Sequence, residues 1–414
     1  MRKSWVLYLP IYAFTFIWAL TFFLYYLNPF NLPPLRTYTW VVLLSGITMV
    51  YAGFLSGKFL SQGFKFEIVS FVSTREHFPF AVEPLKKLLF YFTTISLIGI
   101  LGRSFLVIQA MGGIEEYIIN PTYTRNFIIQ VDTRQVEVNI ILLKLFSYMS
   151  SFTFACVIVG GVLYTIPKSK LIGIYPLLVS VIAAVINFQR GEFIRNYIFW
   201  LICAFIFSYY LPKYFQRKNL YSIFRQIIYF LVIFVIFSLF ILLLRFFFAS
   251  QGNITFIINS FYFYIVGNLW TLDQYLLTDP QPLYGLSIFR SFASWFSALQ
   301  LVDKSSVLAL HNEFFPIYNT AMNTFTFIRI PYDDFRFPGV LVISYFLGII
   351  AFSSMKAFVK KFSFFRLGLA ALLTNLLLWS FYNLEIGALT LYVIRFIELF
   401  LLDFFLERFN LYQT

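Results

Sequence analysis

The sequence predicts an all-α, polytopic membrane helix bundle, and three observations lead there. Of its 414 residues, 60% are hydrophobic and only 12% are charged, about half the charged share of an ordinary soluble domain. The apolar residues fall in continuous runs near the roughly 20 residues that cross a hydrocarbon core about 30 Å thick as helix. Those runs lack the in-out alternation of membrane strands, which argues against a barrel. A chain of this composition cannot clothe itself in a polar surface, so residues 1–414 are expected to form a single transmembrane domain despite their length.

Ten runs can be drawn in order. Trp5 to Leu27 follows Arg2 and Lys3 as a secretory signal would, but it is long enough to span and lacks a small-residue cleavage site, so it is read as an uncleaved first helix. Thr37 to Gly57, Leu88 to Gln109, Ile140 to Ile166 and Leu171 to Phe188 come next. Asn196 to Leu211, Gln226 to Phe248, Gly339 to Met355, Leu367 to Phe381 and Leu389 to Phe405 complete the set. The two cysteines, Cys156 and Cys203, lie inside apolar runs, which excludes a disulfide framework or a CxxC metal site.

Orientation follows from the basic residues. With the N-terminus cytoplasmic, 18 of the 31 lysines and arginines fall on the cytoplasmic side, among them Lys58, Lys86, Lys87, Lys168, Lys170, Lys218 and Lys361. Glu67, Glu76, Glu83 and Glu407 are the acids there, and this excess is what the positive-inside rule expects, with both termini inside. The net charge of +13 is thereby accounted for by topology and by contact with anionic membrane lipid, without a nucleic-acid partner. Two long loops are left outside, 110–139 and 249–338. The second contains "FIINSFYFYIVGNLW", too interrupted to span and read as helix lying in the interface.

The outer loops favour arginine over lysine: Arg36, Arg125, Arg134, Arg190, Arg195, Arg290, Arg329 and Arg336 stand against Lys304. A guanidinium fork binds phosphate oxygens in pairs, so a diphosphate at the membrane surface is the ligand these residues suit. The plainer reading is salt bridging within the loops. One cluster is "NFQRGEFIRN", where a short connection holds Arg190, Glu192 and Arg195 near the bilayer surface; interfacial snorkelling is its plainer alternative. A second, "HNEFFPIYNTAMNTFTFIRIPYDDFRFPG", offers bases (His311, Glu313, Asp333, Asp334), amides for sugar hydroxyls (Asn319, Asn323) and Arg329. Arg395 and Glu398, three residues apart in the last run, are expected to face each other. No P-loop, GxSxG, HExxH or DxD pattern occurs, so neither metal nor soluble-style nucleotide chemistry is expected.

Four stretches, "NPFNLPPLRTYTW", "MGGIEEYIINPTYTRNF", "INFQRGEFIRN" and "NTAMNTFTFIRIPYDDFRFPGVLVISYFLGII", taken in order and with this topology, resemble the Wzy-type polymerases of O-antigen, capsule and related repeat units. The resemblance implies a GT-C-like, metal-independent glycosyltransferase without cofactors in the bacterial plasma (inner) membrane. It would polymerise undecaprenyl-diphosphate-linked oligosaccharide on the periplasmic face, with a chain-length regulator protein as a partner. Such a reaction needs a base to deprotonate the acceptor hydroxyl, with His311 the first choice, Asp334 or Asp333 second and Glu192 next. Arg190, Arg195, Arg125, Arg290 and Arg329, with Asn319 and Asn323, would hold diphosphate and glycan. One departure stands out, because where the family has Asp-Phe-Gly this chain has Asp334, Phe335 and Arg336. Two other readings use the same features: an O-antigen ligase, which "HNEFF" favours, and a flippase for lipid-linked oligosaccharides, against which stands the lack of any internal repeat.

Overall fold

A computed structural model describes residues 5–63, 80–119, 123–124, 127–128, 139–187, 190–208, 225, 262–288, 315–317, 320–322, 326–381 and 389–409. Among these the regular structure is helical apart from one antiparallel hairpin, β1 Phe315–Ile317 with β2 Thr320–Met322, which the all-α expectation did not include. Among the described residues five helical stretches are long and apolar enough to cross a membrane: Trp5–Leu27, Thr37–Ser61, Val82–Ala110, Ile141–Tyr164 and Arg329–Lys360. The shortest has 23 residues, or about 34 Å at roughly 1.5 Å per residue. Three shorter apolar helices accompany them, Lys170–Ile186, Phe193–Phe207 and Phe364–Leu378. Outward-facing side chains are as apolar as buried ones: Phe16, Tyr26, Phe59, Ile141 and Leu171 are all exposed. Water would penalise such a surface and lipid would not.

The chain divides into two compact units, each built from separated stretches. Unit 1 takes residues 1–69, 257–361 and 372–394. Its first helix, α1 (Leu9–Leu27), enters through a 3-10 turn at Trp5–Tyr8, with Pro10 in the first turn where a missing N–H costs nothing. It ends at Asn28 in the left-handed conformation, whose side chain closes the following loop by accepting from Leu32 N at 2.7 Å and donating to Leu32 O at 3.0 Å. Helix α2 (Thr37–Gly63) packs along α10 (Arg329–Lys360), defined below with its neighbours. The two backbones come so close that a Cβ at Gly53 would strike the Tyr345 carbonyl, and one at Gly348 the Val50 carbonyl. In a membrane, where apolar burial between helices contributes little, such close contact between small residues carries the association. Around this seam Phe14, Trp18 and Phe327 meet edge to face, as do Phe54 and Phe352.

Unit 2 takes residues 70–256, 362–371 and 395–414. Its described helices are α3 (Val82–Ala110), α4 (Ile114–Ile119), α5 (Ile140–Ser151), α6 (Thr153–Tyr164), α7 (Lys170–Ile186) and α8 (Arg190–Phe207). The fourth predicted span is thus two helices meeting at Phe152, a break that a uniformly apolar run does not announce. α6 is buried except at Ala155, with Phe154 against Phe199 and Tyr164 against Trp200.

In chain order the remaining elements are α9 (Asn268–Leu277), entered through a π turn at Phe263–Gly267, then the hairpin, α10, α11 (Phe364–Leu378) and α12 (Leu389–Arg408). The stretch expected to be interfacial helix runs into the start of α9. α9 packs within unit 1, with seven of its residues buried, Asn268, Thr271 and Asp273 among them. In unit 2, the Asp403 carboxylate of α12 accepts the Phe364 and Phe365 N–H groups at 2.8 and 2.9 Å, which caps the positive end of α11. The run Gln226 to Phe248 lies outside the described residues.

A buried charge cluster at a helix break as the candidate functional site

At one end of unit 1 the residues before and at the start of α2, the end of α9 and the start of α10 converge through polar contacts. α10 is 32 residues long but interrupted: Phe335 (φ −138°, ψ 16°) and Arg336 (φ 59°, ψ −152°) leave helical geometry just ahead of Pro338. Gly339 follows because the chain doubles back so tightly that a Cβ there would strike the Pro331 carbonyl. The first turn and a half, Arg329 to Asp334, is therefore a separate polar segment set on the mouth of an apolar span.

Three acids organise it. Asp273, 4% exposed, accepts from Arg36 Nε and backbone N, each at 3.0 Å, and from Thr39 Oγ1 at 2.5 Å, while Arg36 also donates to the Asp273 carbonyl. Asp333, 2% exposed, accepts from Tyr275 Oη at 2.5 Å and faces the equally buried Arg329 at 3.4 Å, whose guanidinium lies 4.5 Å over the Tyr275 ring. Asp334 is fully buried, and its two carboxylate oxygens accept the Ser287 and Ile288 N–H groups at 2.8 Å each. Backbone bonds from Leu283 to Asp333 and from Tyr284 to Asp334 hold the loop 280–288 against the same segment. An unpaired carboxylate buried like this would carry a large desolvation cost, which these donors offset. The Asp334 geometry is that of a tie between loop and helix, with neither oxygen left open to a substrate.

Above these ties sits a more open layer. Arg336 reaches Asp279 at 3.2 Å and lies 5.5 Å over the Tyr332 ring, and Tyr332 Oη is 3.2 Å from Tyr38 Oη. Arg336 is partly exposed, Asp279 is largely so, and Tyr284 and Phe335 are exposed. The φ of Arg336 belongs to a region normally left to glycine, worth about 1–3 kcal/mol of strain for any other residue. Its Nη1 is buried without a hydrogen-bond partner among the described residues.

Of the residues singled out in the sequence, this cluster unites Arg36, Arg329, Asp333, Asp334 and Arg336. His311, Arg125, Arg290, Asn319 and Asn323 lie outside the described residues. Arg190 opens α8 and Glu192 follows in its first turn, so "RGEFIRN" is helix rather than a short connection. The helix starts that early because Phe193, Tyr197 and Trp200, spaced by three and four residues, are all buried. Arg195 is half-buried on the same helix, and Asn196 beside it donates to Ser180 Oγ at 3.2 Å. Also in unit 2, Arg395 lies 4.9 Å over the Phe154 ring, and Glu398 accepts from Ser151 Oγ at 2.6 Å. The stretch "MGGIEEYII" folds as a turn and α4, with Tyr117 donating to the Ile186 carbonyl at 2.6 Å; burial pushes that phenol up to about 12, so it stays a donor. No group of three or more His, Cys, Asp or Glu suited to a metal occurs among the described residues.

The pairing of Arg36 with Asp273 and of Arg336 with Asp279 has no local signature in the sequence. The one available signal was Arg336 in place of the resembled family's glycine. The chain matches no protein-family model, no curated protein and no solved structure.

Proposed function

We propose that this membrane protein is a metal-independent glycosyltransferase of the bacterial inner membrane that polymerises undecaprenyl-diphosphate-linked oligosaccharide repeat units on the periplasmic face. The observation that supports this reading is the polar segment Arg329–Arg336, set at the mouth of an otherwise apolar span, with the Arg336 guanidinium partly open above buried acid ties. Transfer of a glycan from a lipid diphosphate needs fixed cations where charge builds on the departing group. It also needs a base within hydrogen-bond reach of the acceptor hydroxyl. In this reading Arg336 is a diphosphate ligand. Arg329 and Asp333 hold the segment in shape, and His311 is the first choice of base, ahead of Glu192.

The test is the purified protein reconstituted with lipid-linked repeat units, with chain growth followed as a ladder of products. Wild type is expected to build the ladder. Arg190→Ala and Arg336→Ala should lose most of it, and His311→Ala should slow growth by about 10²- to 10⁴-fold while donor binding survives. Movement of the lipid-linked unit across the bilayer without growth would replace this reading with a transporter. Transfer to a different acceptor without a ladder would replace it with a ligase.

A further inference from the structure

A second polar feature belongs to unit 2 and has no part in the proposed reaction. The first turns of α3 and the turn leading into α7 enclose a groove of about 340 Å³. Lys86, Lys87 and Lys168 line it together with Phe90, Tyr91 and Leu171. Lys86 is paired at 2.7 Å with the exposed Glu83, so three ammonium groups face one nearby carboxylate. Lys168 is held in place by its backbone, in the left-handed region at φ 66°, between Pro167 and the start of α7.

The start of α7 adds to the positive character. This 17-residue helix has Ser169 at its N-cap without a side-chain capping bond. Ser169 is 1% exposed and its Oγ has no hydrogen-bond partner among the described residues. The leading N–H groups of α7 thus lack the side-chain oxygen that normally caps them. Directly beside the charges, Phe90, Tyr91 and Leu171 are exposed, Leu171 to 88%. A free phosphate would use the lysines and gain nothing from that apolar flank.

We infer that this groove binds an anionic phospholipid, its phosphate among Lys86, Lys87 and Lys168 and its acyl chains along Phe90, Tyr91 and Leu171. The inference needs only that the helices are in a membrane, and it does not depend on the glycosyltransferase reading. Each lysine near an anionic lipid surface contributes about 1 kcal/mol, roughly a fivefold preference.

The experiment is native mass spectrometry of the detergent-purified full-length protein, titrated with phosphatidylglycerol and, separately, with phosphatidylcholine. Phosphatidylglycerol is expected to bind at least about fivefold more tightly. The double substitution Lys87→Gln with Lys168→Gln should bring it down to the phosphatidylcholine level. Lys87→Arg with Lys168→Arg should keep the preference. Lys360→Gln with Lys361→Gln removes the same charge elsewhere and should also keep it. Equal binding of the two lipids by wild type would overturn the inference whatever the variants do. So would an equal loss in the Lys360/Lys361 pair, or full displacement of phosphatidylglycerol by millimolar inorganic phosphate.

Discussion

At Arg336 the backbone and the side chain make opposite demands. Its φ of 59° and ψ of −152° suit glycine, yet the residue is the longest of the basic side chains, and its guanidinium spans Asp279 and the Tyr332 ring. Strain that persists at one residue is most often tied to what its side chain does. Replacing it separates the two demands. Arg336→Gly relieves about 1–3 kcal/mol of backbone strain, offset by roughly 0.4–1 kcal/mol from greater freedom of the unfolded chain and by a surface ion pair worth up to about 1 kcal/mol. Arg336→Ala keeps the strain and loses the pair. Thermal unfolding should therefore rank Gly at or above Ala and Arg above Ala, while both variants lose chain growth. If Gly melts well below Ala, the strain is not a property of the protein in solution. That Arg336 departs from a family pattern was legible in the sequence. The backbone angle that gives the departure meaning was not, because side-chain identity alone does not fix φ.

Elements were legible where length and apolarity agree. α1, α2, α3 and the body of α10 fall where 20-residue apolar runs place them. The division of the fourth run at Phe152 and the early start of α8 were not, since both depend on which neighbours a helix packs against. The Arg36–Asp273 pair joins residues 237 apart, a separation over which one sequence carries no pairing signal. The α2–α10 seam gives the test at this scale. Gly53→Leu or Gly348→Leu forces a side chain into a carbonyl of the facing helix, and neither backbone can yield locally. Either change should cost several kcal/mol and lower the melting temperature sharply, while Gly112→Leu, which has open space around its Cβ position, tests only local turn strain and leaves the seam intact. Similar melting of the Gly53 and Gly112 variants would mean that the seam does not carry unit 1.

For the whole molecule, the basic asymmetry predicts topology. Reporters fused after Lys218 and Lys361 should be cytoplasmic, and those after Arg125 and Lys304 external; the reverse at any two of these sites would sink the ten-span arrangement.

The interleaving of unit 1 has a consequence for how the protein is made. α2 emerges from the ribosome long before its partner: Ser61, which accepts a hydrogen bond from Lys356 Nζ, precedes it by 295 residues. Trp18 waits longer still for Ser380, whose hydroxyl accepts its indole N–H. At about 5–20 residues per second, α2 spends on the order of fifteen seconds to a minute in the bilayer with its small-residue face unmatched. All of residues 70–256 are synthesised in that interval. A nascent chain stalled before residue 329 therefore holds half of a seam, and the cell must either shield that face or destroy the chain.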